Sequence, residues 1–226
     1  MLYSLYFNVI SKFKFDEYSL KSTNIFLLNI AENINQIDLD TIPNSQILAI
    51  KKYKFEKDRN KRLLARSFLY NYLKFKYQID NFGLKYGQYQ KPFLEANENI
   101  DFSISYSECY VVVAISDKYN IGVDIEFIDT KINHQDLRNI IMHPKEISYY
   151  NKLIRETDKL NFFFNVFNIK EAVIKSLGIG LYFDVTNINV LDTSSFSDFI
   201  KNGYFLNTNL FDYLREYKAS ISLIER

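Results

Sequence analysis

The stretch Ile121-Gly-Val-Asp-Ile-Glu-Phe127 is apolar except for two carboxylates two residues apart. Its aliphatic and aromatic content reads as a strand. Side chains alternate across a strand, so Asp124 and Glu126 project from the same face. Just upstream, Cys109 to Ser116 reads as a buried strand, and Asp117-Lys-Tyr-Asn120 as a short reversal. Together they predict a hairpin with Ile121–Phe127.

Working outward, two helices are expected at 134–154 and 158–177. In the second, Phe163, Val166, Phe167, Val173, Ile174 and Leu177 form an apolar stripe, and Gly178 is a fitting stop. Strands near 184–191 and 215–224 would close the sheet. In the first half, Leu2 to Val9 and Phe102 to Tyr106 read as strands. Ser45 to Tyr77 reads as helical: Leu64, Phe68, Tyr72 and Phe75 recur on one face, with Arg59, Arg62 and Arg66 on another. The pattern is α+β, helices packed on mainly antiparallel sheets.

Composition narrows the function. A net charge of +1 gives no bulk attraction to nucleic acid. Cys109 is the single cysteine, so no internal disulfide forms; it falls in an apolar run that predicts burial. No apolar stretch is long enough to span a membrane, and the N-terminus lacks the pattern of a signal peptide. A soluble, cytoplasmic, monomeric protein is expected. His134 and His143 have no partner spacing for zinc and are expected at the surface or in loops.

Carboxylates on an apolar strand suit a hard divalent cation, although an amphipathic strand with a wet face reads the same way. Lys170, Glu171 and Lys175 stand among apolar neighbours, with Glu171 and Lys175 one helical turn apart. They could form an ordinary surface ion pair or reach a shared site. The basic run Lys51 to Arg62 could be a solvated face or a phosphate cradle.

Taken in order, Gln-Lys-Pro at 90–92, Phe-Ser-Ile-Ser-Tyr-Ser at 102–107, Gly-Val-Asp-Ile-Glu at 122–126 and Phe-Asn-Ile-Lys-Glu-Ala-Val-Ile-Lys at 167–175 resemble the Sfp-type 4′-phosphopantetheinyl transferases. With the basic helix Asp58 to Arg66, the resemblance covers roughly residues 50–192. It implies that family's fold, a pseudo-dimer of two similar α/β halves, here 1–115 and 116–226, with coenzyme A in the cleft between them. It also implies transfer of 4′-phosphopantetheine from coenzyme A to a serine of an apo acyl or peptidyl carrier protein, releasing 3′,5′-ADP.

By that resemblance Asp124, Glu126 and Glu171 would hold Mg²⁺. Lys175 would contact the pyrophosphate, and Lys61, Arg62, Lys91, Ser105 and Tyr106 the rest of coenzyme A. Glu171, Glu146 in His-Pro-Lys-Glu-Ile, or a metal-bound water would accept the serine proton. Tyr149, Tyr150 and Phe162 to Phe164 fall in the segment that would approach the carrier. Three positions depart from the family pattern: Tyr106 replaces histidine, Phe167 replaces tryptophan and Gln90 replaces glycine. A competing expectation is a non-catalytic coenzyme A- or carrier-binding module of the same fold.

Overall fold

The computed structural model describes residues 10–79, 82–95, 97–180, 183–192, 204–207 and 210–226. The strand expected at Leu2–Val9 lies outside them. The chain sorts into two compact units. One takes the chain up to Lys85 together with Pro92–Asp117, and the other takes Tyr86–Lys91 and everything from Lys118 onward.

The first unit is an antiparallel sheet under one long helix. Its strands are β1 (Phe15–Leu20), β2 (Thr23–Asn29), β5 (Asp101–Ser107) and β6 (Tyr110–Ser116), in the order β1-β2-β6-β5. The Val-Val-Val-Ala-Ile run of β6, hydrogen-bonded between β2 and β5, is buried at every position, on both faces. A short helix α1 (Ile30–Asn33) and α2 (Asn44–Lys51) precede α3 (Glu56–Tyr77). Small strands β3 (Leu84–Tyr86) and β4 (Pro92–Leu94) pair with each other. The helix expected across Ser45–Tyr77 is therefore two, broken at Lys52–Phe55. Arg59 donates to the carbonyls of Tyr53 and Lys54, closing the break. Beneath α3 lies an aromatic core in which Phe26 meets Phe68 at 4.9 Å and Tyr72 at 4.7 Å.

The second unit is a three-stranded sheet with a long helix packed on it. Strands β7 (Tyr119–Phe127), β8 (Tyr204–Asn207) and β9 (Tyr217–Glu225) are antiparallel in the order β7-β9-β8. The register sets Asp124 opposite Ser220 and Glu126 opposite Lys218. Helices α4 (His134–Ile141), α5 (Pro144–Lys152) and α6 (Glu156–Leu177) follow β7. Proline disfavours helix in the residue before it, so the helix expected over 134–154 divides at His143-Pro144. His143 then caps α5, accepting from Lys145 N, while Glu146 accepts from His143 N.

Four expectations are corrected. β6 and β7 do not form the hairpin: β6 pairs with β5 and β2, and β7 with β9. The β5–β6 turn carries Cys109, which is exposed because it sits in the turn instead of the strand. The segment 184–191 holds a 3-10 turn at Val185–Asn187, capped by Asp184, and is not a strand. His134 is buried, and its Nδ1 lies 2.6 Å from the hydroxyl of fully buried Tyr150.

Candidate active site

Gly122, Asp124 and Glu126 share one face of β7, and the glycine decides what can cover it. A Cβ at Gly122 would lie 2.0 Å from the carbonyl oxygen of Ala172 and 2.3 Å from the nitrogen of Ser176. Only a bare Cα lets α6 rest its backbone on the strand there. Asn168, Glu171 and Lys175, spaced i, i+3 and i+7 along α6, are thereby drawn to the two strand acids.

Asp124 is buried, and each of its oxygens has a donor. Lys175 Nζ lies 2.6 Å from Oδ1, and Asn168 Nδ2 lies 2.8 Å from Oδ2. Lys175 also donates to Val123 O at 3.2 Å. Burial, reinforced by Asp124 and Glu171 and opposed by Lys175, pushes the Glu126 carboxyl up to about 8. Burial and Asp124 raise Glu171 as well, again against Lys175. Burial by itself would lower the Lys175 ammonium, but Asp124, Glu171 and Glu126 together carry it above the usual lysine range. Three carboxyl groups thus share one ammonium in a poorly hydrated place, an arrangement short of positive charge.

Two further buried atoms adjoin the cluster without a hydrogen-bond partner among the described residues. They are Asn168 Oδ1 and the hydroxyl of Ser220, the cross-strand partner of Asp124. Leaving such an atom unmade costs about 1–3 kcal/mol. The donor set is all oxygen and includes three carboxyl groups, which fits a hard divalent cation. As the side chains stand, no three His, Cys, Asp or Glu among the described residues close to metal-holding distance, and Lys175 covers Asp124 Oδ1.

Lys91 belongs to the same unit. Its ammonium donates to Ile121 O, also on β7, at 3.1 Å. Its stem would lie 3.2 Å from a Cβ at Gly178. Gln90 just before it has φ +67, and its N–H closes a turn on Gly87 O. Gln90 thus places a side chain at a left-handed position that a glycine would occupy without strain.

Glu146 is placed differently. It is fully buried, with Lys170 Nζ and His143 N each 2.7 Å from Oε2 and Val190 N 2.6 Å from Oε1. Lys170 also donates to Ile141 O. The pair ties α5 and the 189–190 segment to α6 one residue before Glu171. Burial lowers the Lys170 ammonium, against the pull of Glu146. Of the aromatic residues in this region, Tyr150, Phe163 and Phe164 are core; Tyr149 is exposed and packs on Phe162.

In the first unit, the Arg62 guanidinium stacks 3.8 Å over the Tyr53 ring and lies 5.1 Å from the centroid of Tyr106. One of its N–H groups donates to Asp58 O. Lys61 is mostly buried beside Asp58 at 3.9 Å, and Ser105 is buried on β5. Stacking on a ring in this way orients the plane of the guanidinium. Sequence reading passed over Asn168; the signal was a polar position in phase with Glu171 and Lys175 on an otherwise apolar helix.

A family model described as the 4′-phosphopantetheinyl transferase superfamily matches residues 120–221, which takes in α6 and all but the first residue of β7 and reaches into β9. The chain is 31% identical to the 4′-phosphopantetheinyl transferase gsp of Aneurinibacillus migulanus over 144 residues, 62% of this chain and 57% of that protein. It is 26% identical to a 4′-phosphopantetheinyl transferase of Bacillus subtilis over 179 residues, 76% and 77% of the two chains. To the 4′-phosphopantetheinyl transferase Sfp of Bacillus subtilis strain 168 it is 25% identical over 143 residues, 62% of each. Over residues 120–221 the chain is similar to the 4′-phosphopantetheinyl transferase superfamily, and the relatives it resembles include Sfp itself. Its match spans only about 57% of the first of these relatives.

Proposed function

We propose that the protein transfers 4′-phosphopantetheine from coenzyme A to a serine of an apo acyl or peptidyl carrier protein. The observation that carries this reading is the gathering of buried Asp124 with half-buried Glu126, Glu171 and Lys175 into one charge cluster at the α6–β7 contact.

In this reading Asp124, Glu126 and Glu171 hold Mg²⁺, which when bound supplies charge stabilisation to the diphosphate of coenzyme A. Lys175 and Lys91 add positive charge toward that diphosphate. Arg62, with Lys61, Ser105 and Tyr106 around it, serves the nucleotide phosphates; Arg62 supplies the charge that a tyrosine in place of histidine lacks. The carrier serine oxygen attacks the β-phosphorus bearing pantetheine, and the P–O bond to the departing 3′,5′-ADP breaks. Of the two side chains considered as proton acceptor, Glu146 is committed to three donors, whereas Glu171 lies in the cluster with its proton affinity raised. Catalysis rests mainly on positioning and electrostatics.

The test is incubation with coenzyme A, MgCl₂ and a panel of apo carrier proteins, read by intact-mass spectrometry. A phosphopantetheine mass increment is expected, lost with EDTA and reduced at least about 100-fold in Asp124→Ala and Glu171→Ala. Undiminished transfer by those variants would refute the cation assignment. Coenzyme A binding without transfer to any carrier would favour a non-catalytic module.

A further inference from the structure

We infer that Asn168 is a positioning residue that holds Asp124 in a metal-ready orientation while Lys175 comes and goes. This rests on the reading above, in which Asp124 takes part in holding a divalent cation. The two donors on Asp124 differ in kind. Lys175 reaches Oδ1 on a long flexible stem and keeps 29% of its side chain exposed. It can withdraw, and Oδ1 then becomes available. Asn168 is fully buried in the middle of α6, and its amide reaches Oδ2 from a short side chain with little freedom. It stays, so the plane of the carboxylate is kept when Lys175 leaves.

The environment of Asn168 argues against a purely architectural role. Its Oδ1 is buried with no partner among the described residues, so the amide is not a node in a network serving the fold. Asparagine is also a poor residue for a helix interior. An apolar side chain of the same size would suit this place better if the bond to Asp124 did nothing.

The test uses Asn168→Leu, which keeps the branched shape and removes the donor, with the smaller Asn168→Ala as a second variant should the first not fold. Mn²⁺ binding to the full chain is titrated by electron paramagnetic resonance, without coenzyme A or carrier. The dissociation constant is expected to rise about 10- to 100-fold, the range found when a group orienting a metal ligand is removed. At saturating metal the KM for coenzyme A should stay within about twofold, as expected of a group that acts only through the metal ligand. General structural damage would move both together, which would overturn the proposal. Wild-type Mn²⁺ affinity in a folded variant would also overturn it. Failure of the unaltered protein to bind Mn²⁺ would instead remove the cation reading itself, and this inference with it.

Discussion

Helices α3 and α6 are built alike and used in opposite ways. Each runs 22 residues, opens with two acids in its first turn, and ends at a left-handed residue, Gln78 or Gly178. Both acids suit the positive end of the helix dipole. Yet α3 faces its sheet with Leu64, Phe68 and Tyr72 and carries Arg59 and Arg62 toward its rim. Helix α6 instead turns charge inward: Lys170 is 1% exposed, and Glu171 and Lys175 join the acids of β7. Burying charge is costly unless each group is paired, so its concentration in one helix marks where chemistry outranks stability.

The contrast is tested most severely at Lys170. Lys170→Met leaves Glu146 charged and buried with only two backbone donors, and should cost about 3–5 kcal/mol in a denaturant melt. Neutralising both in Glu146→Gln/Lys170→Met should recover most of that. On α3, Arg62→Met should cost only about 1 kcal/mol, the worth of a half-exposed stacked cation. Equal losses at the two sites would erase the distinction between the helices.

Next is the seat of α6. In Gly122→Ala the new methyl meets the backbone of Ala172 and Ser176, which cannot rotate away. A loss of about 3 kcal/mol is expected, at the upper end for overpacking, with metal affinity lost alongside it. A variant as stable as the parent would show that α6 does not need bare backbone contact on β7.

This seat also shows what a sequence can disclose. The acid pair of β7 and the Lys-Glu stretch of α6 were legible because their spacing is local: two residues along a strand, four along a helix. The basic face of α3 was legible for the same reason. The partner of β7 was not, since β9 lies about ninety residues away and the nearer apolar run of β6 imitates a hairpin partner. Strands β1 and β2 went unread because β1 is a polar outer strand with little alternation to detect. Asn168 matters only once α6 is laid on Gly122, a tertiary fact. Glu146 had looked free to accept a proton until the fold enclosed it.

A smaller effect should appear in the pH dependence of stability. Glu126 has its folded value raised to about 8, so from its ordinary value of 4.5 up to about 8 the folded state holds a proton that the unfolded state has released. Stability then falls as pH rises through that window, by up to about 1.4 kcal/mol per unit. Glu171 acts in the same direction. His134, lowered by burial, acts below 6.5, so melts between pH 6.5 and 8 isolate the carboxylates. Glu126→Gln should flatten the slope, and saturating Mg²⁺ should flatten it too by favouring the ionised form. On α3 the phenols of Tyr72 and Tyr77 are raised by burial above their already high ordinary values and titrate outside this window, so a slope between pH 6.5 and 8 that survives Glu126→Gln would move its origin out of the cluster.

The two helix ends offer the finest comparison. Gly178 at φ +68 donates its N–H to Ile174 O, while Gln78 at φ +56 donates to Leu73 O and Lys74 O. Left-handed backbone is strained for any residue with a Cβ, at roughly 1 kcal/mol, so α3 closes less comfortably than α6. Gln78→Gly should therefore raise stability by about 0.5 kcal/mol, the relief of strain being partly offset by the greater freedom glycine has in the unfolded chain. Gly178→Ala should lower stability by about 1 kcal/mol, since its Cβ must also displace the stem of Lys91, 3.2 Å away. Because Lys91 reaches Ile121 O from there, the alanine variant should also weaken coenzyme A binding, whereas Gln78→Gly should leave it unchanged. Opposite signs in the melts, with a binding change at one end only, would place the cap of α6 within the site and that of α3 outside it.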